Sequence, residues 1–316
     1  MKDFWNSLKT PFTVLAPMDG VTDVVFRQMI VLLGKPDVLF TEFTPIEGLF
    51  SKGKSNVQTN LLIEENEKPV IAQIWGTKPE LFYKAAKYIS KLGFSGIDIN
   101  MGCPDRTTVK YGACAALMKN QKLTTEIIEE TKKGSSKLPV SVKTRIGFSE
   151  NQVDEWIPFL LNQKLAALTI HLRTAAELSN PPAHWEEMPK IIEMRNKISP
   201  TTKIIGNGDI YSLTDLEEKH KKYNCDGYMI GRGILANPWL FSNKTQITKK
   251  DRFDTYLKHI ELFKKTWGDT RHFVILKKFC KIYINNFDEA SKLREKIMET
   301  KNLSELEDTV KTFRTA

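Results

Sequence analysis

The sequence is poor in the residues that would staple or anchor it. It holds 4 cysteines and 5 histidines among 316 residues. Cys103, Cys114, Cys225 and Cys280 form no C-x-x-C pair and the histidines are scattered. That argues against a zinc site and against the disulfide framework of a small secreted domain. No apolar run approaches the roughly 18 residues that a membrane helix needs. The opening stretch, "MKDFWNSLKTPFTVLAPM", lacks the long apolar segment of a signal peptide. We therefore expect a cytoplasmic protein, a monomer, with no metal and no membrane contact. A G-x-G-x-x-G turn is also missing, because the first apolar run ends "APMDGVTD". This removes the usual fingerprint of a doubly wound dinucleotide-binding sheet. Negative charge is the last deficit. Lys and Arg number 47 against 38 Asp and Glu, a net charge of +9, and residues 241–316 carry +6 of it. A basic excess of this kind suits a polyanionic partner, since neutralising phosphates releases counterions.

Eight short apolar runs are present over the first 240 residues: "TVLAP" (13–17), "VLFTEF" (38–43), "VIAQIW" (70–75), "GIDIN" (96–100), "VSVKTR" (140–145), "ALTIHL" (167–172), "KIIGN" (203–207) and "GYMIG" (227–231). Their nearly continuous apolar character is that of parallel strands covered on both faces. Helical patterns lie between them, as in 21–34, 151–164 and 212–223. In "TKPELFYKAAKYISKLG", Thr77 and Glu80 have capping-box spacing and Gly93 ends the pattern. Strand and helix alternating eight times predict an α/β fold, a (β/α)8 TIM barrel. After about Asn243 the strand runs stop and Lys-rich helical patterns take over. The expected domains are a barrel over 1–242 and an all-helical domain over 243–316.

Polar residues fall at the strand ends. Met18 and Asp19 follow the first run, Glu42 ends the second and Gln73 sits late in the third. Asn100 and Cys103 follow the fourth; Lys143 and Arg145 end the fifth, and His171 and Arg173 the sixth. Asn207 and Asp209 close the seventh, and Gly231 and Arg232 the eighth. In a barrel all these ends open on one rim, where such enzymes keep their active sites. "GNGD" and "GRG" after strands seven and eight occupy the usual barrel location for a phosphate. Lys143 interrupts an apolar strand, and a buried Lys needs an anion or a strong acceptor. In "NMGCPD", Gly and Pro on either side of Cys103 force a tight turn that presents the thiol. Cys225 and Cys280 read as small buried apolar residues.

The segments "APMDGVTD", "TEF", "INMGCPD…YGAC", "VSVKTRIG", "IHLRT", "NGDI" and "MIGRGILANPWLF" stand in order at these strand ends. Over residues 13 to 241 they resemble the dihydrouridine synthases, FMN-dependent enzymes that reduce uridine in tRNA. The resemblance implies an FMN-binding catalytic barrel followed by a helical tRNA-binding domain, with NADPH as reductant. It implies that Pro17 and Met18 lie beside the isoalloxazine, that Gln73 bonds its pyrimidine side, and that Lys143 and His171 sit near its ring. Asn207, Asp209, Gly231 and Arg232 would hold the ribityl-phosphate end, and Asn100 would help position the base. Cys103 matches the catalytic cysteine: reduced flavin gives a hydride to uracil carbon 6, and the thiol protonates carbon 5. A thiol of ordinary pKa, about 8.5, is mostly protonated at neutral pH and can donate. Cys114 is the alternative donor, although "YGAC" reads as the start of the following helix. Arg145, Arg173, Lys277 and Lys278 would extend a basic path for the RNA backbone, with Lys281, Arg271 and His272 nearby. The chain departs from the family's commonest form after "RT", where "AAELSNPPAHW" puts Ala175 and Ala176 in place of polar side chains.

Two other readings compete. One is an FMN-dependent small-molecule pyrimidine oxidoreductase of the dihydroorotate dehydrogenase type, which would not need the basic helical tail. The other is a non-catalytic RNA-binding barrel, which would have no use for Cys103 on a turn or Lys143 in a strand.

Overall fold

The computed structural model describes residues 4–242, 244 and 246–315. Nine parallel strands follow in chain order: β1 (Phe12–Leu15), β2 (Val38–Phe40), β3 (Thr44–Pro45), β4 (Val70–Trp75), β5 (Gly96–Met101), β6 (Val140–Arg145), β7 (Ala167–His171), β8 (Lys203–Asn207) and β9 (Gly227–Ile230). The two-residue β3 only extends the sheet beside β4, with Thr44 opposite Ile74. The other eight close into a ring. β1 pairs with β2 and β9, and the seam is made by β2 with β4, Leu39 opposite Val70. The barrel expected from the eight apolar runs is present, with each run on a strand.

Successive strand residues face opposite sides, so one residue in two points into the barrel. The inward set at the amino-terminal half is apolar: Val14, Val38, Ile71, Ala167, Ile205 and Met229 form one buried cluster. Trp5, on the short helix Phe4–Ser7, and Phe12 close the bottom of this cluster, their rings 5.8 Å apart. Gly227 faces them. A Cβ there would stand 2.2 Å from the Phe12 ring, so the plug requires glycine at that position. Two to four residues farther along the strands the inward set turns polar, with Gln73, Lys143 and His171, and the polar half lies at the carboxyl-terminal rim.

The helix expected over 77–92 forms as Pro79–Ile89. Its capping box does not. Lys78 is the N-cap with no side-chain bond, Pro79 takes the first turn, and the Thr77 amide donates to Glu47 Oε1 at 3.2 Å.

By contact density the chain divides into two compact units. The first comprises residues up to 24 and 36–232; the second comprises 25–35 and 233–316. The sequence reading put the break at 242 and left the helix Val24–Gly34 with the barrel. That helix clusters instead with the carboxyl-terminal helices, because Phe26 stacks on Phe279 at 5.2 Å and Gly34 abuts the Phe241–Ser242 backbone. The second unit also contains Lys249–Trp267, Val274–Tyr283, Ala290–Glu299 and Leu303–Thr315. Its core is tied by polar pairs as well as rings: Tyr256 donates its hydroxyl to the Leu276 carbonyl, and His259 Nδ1 meets the Tyr283 hydroxyl at 3.0 Å.

Candidate active site

The Gly-Cys-Pro turn follows β5, and Asn100 shapes it. The Asn100 side-chain oxygen accepts the amides of Gly102 and Cys103, both at 3.0 Å. The Asn100 amide nitrogen donates to Gln73 Oε1 at 3.0 Å, and Gln73 Nε2 donates to Asp98 Oδ2 at 2.7 Å. Ser141 closes the row by donating to Asp98 Oδ1 at 2.6 Å. Gln73 is 0% exposed. Its two polar ends are therefore engaged by Asp98 and Asn100, which makes it the brace of the cysteine turn as well as a wall of the mouth. Burial pushes the Asp98 carboxyl up to about 6, against the pull of Ser141, Gln73 and Lys143. Asp98 and Ser141 escaped the sequence reading. Their signal was available: Asp98 stands two residues before Asn100 in an apolar strand, hence on the same face.

Cys103 is half-buried, and the Cys114 thiol is the largest influence on its acidity. Cys114 is fully buried and holds a left-handed backbone, φ 53, a conformation uncommon for any residue but glycine or asparagine. The Ala115 amide next to it donates to the Cys103 carbonyl at 3.2 Å. Cys114 does open a short helix, Cys114–Lys119, as the sequence suggested, yet its thiol is turned to Cys103. The hydrogen bond from Cys114 draws the Cys103 thiol down to about 6, opposed by burial and aided by the Asp105 amide and Thr108. The same bond raises Cys114, so the pair loses its first proton from Cys103.

Next along the rim, from β6 to β9, cations gather. Lys143 is half-buried, makes no ion pair or hydrogen bond among the described residues, and is drawn down to about 8 by burial and by Arg145. Burial, then Arg145, Lys143, Arg173 and Arg232, hold His171 well below its ordinary pKa, so the ring is neutral. Arg173 Nη1 lies 3.1 Å from His171 Nε2. A guanidinium can only donate, which makes Nε2 the acceptor and leaves the ring proton on Nδ1. Arg173 also donates to Asp209 Oδ2 at 2.5 Å and to the Pro181 carbonyl at 2.6 Å. Asp209 in turn accepts from Arg232 at 2.9 Å and from the Ala183 amide at 2.8 Å. Asn207 donates to the Met229 carbonyl at 2.8 Å, tying β8 to β9. Pro17 and Met18 are half-buried at the end of β1, and Met18 packs against the barrel cluster. Gly231 leaves room beside them, since a Cβ there would meet Ala16 at 3.5 Å and Met18 at 3.8 Å.

Arg145 links the two arcs. It donates to the Gly102 carbonyl at 2.8 Å on the cysteine side, and to the Thr174 and Leu178 carbonyls at 2.8 and 2.7 Å on the other. A chain of hydrogen-bonded residues thus runs from Gln73 through Asn100, the cysteine turn and Arg145 to the loop after β7, where Arg173 continues to Asp209 and Arg232. Cys103 and Arg232 share one mouth.

Three expected substrate contacts stand differently from the sequence reading. Arg145 is 7% exposed and Arg173 is 2% exposed; their guanidinium groups brace rim loops and are not on an open basic path. Lys277 is 9% exposed and donates to the Met298 and Thr300 carbonyls at 2.9 and 2.6 Å. It satisfies the end of the helix Ala290–Glu299. Its neighbours Lys278 and Lys281 are exposed. Among the described residues no helix is long and apolar enough to cross a membrane.

Known proteins resemble this chain in sequence and in fold. Residues 14–316 match the family model described as dihydrouridine synthase. A "Probable tRNA-dihydrouridine synthase" of Staphylococcus aureus (strain COL) is 42% identical over 308 residues, covering 96% of this chain and 93% of the relative. A "Probable tRNA-dihydrouridine synthase 2" of Bacillus subtilis (strain 168) is 41% identical over 309 residues, covering 96% of this chain and 94% of that one. Among solved structures, a variant of NCR from Zymomonas mobilis superposes with a TM-score of 0.50 at 17% identity, covering 83% of this chain and 95% of that one. Histamine dehydrogenase from Rhizobium sp. 4-9 gives 0.52 at 12% identity, covering 80% and 49%. At such identities these two speak for the fold alone.

Proposed function

The chain belongs to the dihydrouridine synthase family, and from that premise we propose that it reduces uridine in tRNA to 5,6-dihydrouridine, with FMN as bound cofactor and NADPH as reductant. The observation that carries the reading is the shared mouth: a presented thiol with a surplus of cations beside it.

The donor set suits FMN. Lys143, Arg145, Arg173 and Arg232 surround His171, with Asp209 among them as the opposing carboxylate. Such an excess calls for an anionic or electron-rich ligand. Arg232, Asn207 and the open space at Gly231 suit its phosphate end. Asp209 is a carboxylate already shared by two arginines, so it orients Arg173 and Arg232 and does not itself touch phosphate. Lys143 supplies the cation for the electron-rich edge of the ring, and neutral His171 keeps its Nδ1–H as a donor. Pro17 and Met18 wall the ring from the β1 side.

When bound and reduced, FMN supplies the hydride for uracil carbon 6. The protein supplies the rest. Asn100 fixes the turn, so that Cys103 can give its proton to carbon 5 from a set position. The lowered pKa departs from the mostly protonated thiol expected from the sequence: Cys103 is the stronger acid for it, but only about one tenth protonated at pH 7. NADPH needs no dinucleotide turn if it docks only transiently at the mouth. The base must leave its stack, at a cost of a few kcal/mol, which phosphate contacts by exposed Lys278 and Lys281 would offset.

The test is Cys103→Ala. The variant should keep its yellow colour and bound FMN and lose most dihydrouridine formation on unmodified tRNA in a single turnover. Wild-type yield from the variant would remove Cys103 from the reaction. Turnover of dihydroorotate with no action on tRNA would replace the RNA reading by the small-molecule one.

A further inference from the structure

Beside the mouth, the rim carries a second concavity that the chemistry above does not use. A pocket of about 390 Å³ is lined by Pro45, Glu47, Trp75, Lys78, Tyr111 and Ala113 with adjoining backbone. That volume is within the range of specific small-molecule sites. Both of its walls are continuous with the catalytic turn. Trp75 ends β4 two residues beyond Gln73, about 7 Å along the strand. Tyr111 and Ala113 belong to the loop between Cys103 and Cys114; the Ala113 amide is held by the Thr108 carbonyl at 3.0 Å, and Ala113 directly precedes Cys114.

Its side chains are unspent. Tyr111 is 71% exposed, a large aromatic left in water with no hydrogen bond to its hydroxyl among the described residues. The indole N–H of Trp75 is likewise unengaged there. Lys78 is exposed and has no ion-pair partner among the described residues. Glu47 uses Oε1 to hold the Thr77 amide, which fixes the carboxylate at the pocket wall. Two aromatic faces, one free cation and one fixed carboxylate are the complement of a nucleotide: a flat base to stack, a phosphate to neutralise and a base N–H to accept.

We propose that this pocket receives the nucleotide next to the target uridine, its base stacked on Tyr111 and Trp75 and its phosphate against Lys78. The proposal rests on the uridine-reducing reading and deepens it. Extruding one base leaves its neighbour unstacked on one face, and a rim platform beside the thiol restores that stacking while holding the strand open.

Steady-state kinetics of the full-length FMN-loaded protein on unmodified tRNA transcript test it. Tyr111→Ala should raise the KM for tRNA roughly tenfold or more, the usual scale of one base–aromatic stack. FMN content, the KM for NADPH and kcat at saturating tRNA should stay near wild type. Tyr111→Phe, which keeps the ring, should behave as wild type, and Lys78→Glu should raise the KM for tRNA and flatten its salt dependence. Tyr111 is exposed, so its variants test the site even if Trp75→Ala fails to fold. An unchanged KM for tRNA in Tyr111→Ala, beside a wild type that makes dihydrouridine, overturns the pocket and leaves the reaction standing. A rise in the KM for NADPH alone assigns the pocket to the reductant and also overturns it. A wild type that makes no dihydrouridine defeats the underlying reading instead.

Discussion

Cys103 and Cys114 are eleven positions apart, and the Cys114 thiol is the largest influence lowering the pKa of the reactive one. The sign of the pH dependence follows. Only the protonated Cys103 can give a proton, and its pKa is lowered to about 6. Single-turnover formation of dihydrouridine should therefore fall about tenfold per pH unit above pH 6. In Cys114→Ala the largest lowering influence is gone, so the midpoint should move up toward the ordinary thiol value of about 8.5 or beyond. Cys114→Ser, which keeps a donor, should stay between the two. Alkylation of Cys103 by iodoacetamide, followed by mass spectrometry across pH, reads the same midpoint without turnover. Coincident midpoints in wild type and Cys114→Ala would dismiss the thiol pair. Cys103 was legible from Gly and Pro on either side of it, because turn chemistry is local. The partnership with Cys114 was not, because a left-handed residue that aims a side chain back across a loop leaves no periodic trace in sequence.

The elements were largely legible, since strand and helix follow from apolar spacing that neighbouring residues carry. The eight apolar runs became the eight barrel strands with shifts of a residue or a few at their ends. The helix Val274–Tyr283 was legible as a helix but not in its faces. Lys277 and Lys278 look alike in the sequence, and the fold buries one and exposes the other. Lys277→Met should cost roughly 2–4 kcal/mol in urea unfolding, because one buried and one partly buried carbonyl lose a charged donor. Lys278→Glu should change stability by less than about 0.5 kcal/mol. Equal effects of the two substitutions would contradict the burial of Lys277. At the barrel floor, Gly227→Ala should cost about 1–3 kcal/mol for the same kind of reason, since the added methyl has only the Phe12 ring to displace. Thermal melts of the variant and wild type decide it.

Across the whole chain, positive charge is concentrated after residue 240, and that asymmetry makes a prediction of its own. The double variant Lys278→Glu and Lys281→Glu should weaken tRNA binding and lower the log–log salt slope by about 1–2. NADPH oxidation should be unaltered. An unchanged slope would take these lysines off the RNA. The amino-acid order alone determined the parallel barrel, the polar strand ends, the presented cysteine and the basic tail, because each arises from spacing, turn chemistry or composition over short stretches of chain. Tertiary structure alone decided four things: Gln73 and Asp98 brace Asn100, Asp209 holds two arginines, the Val24–Gly34 helix clusters with residues beyond 232, and Trp75 and Tyr111 line one pocket. Each of these joins residues far apart along the chain, and such contacts exist only once the ring has closed and packing has chosen which side of each element is covered.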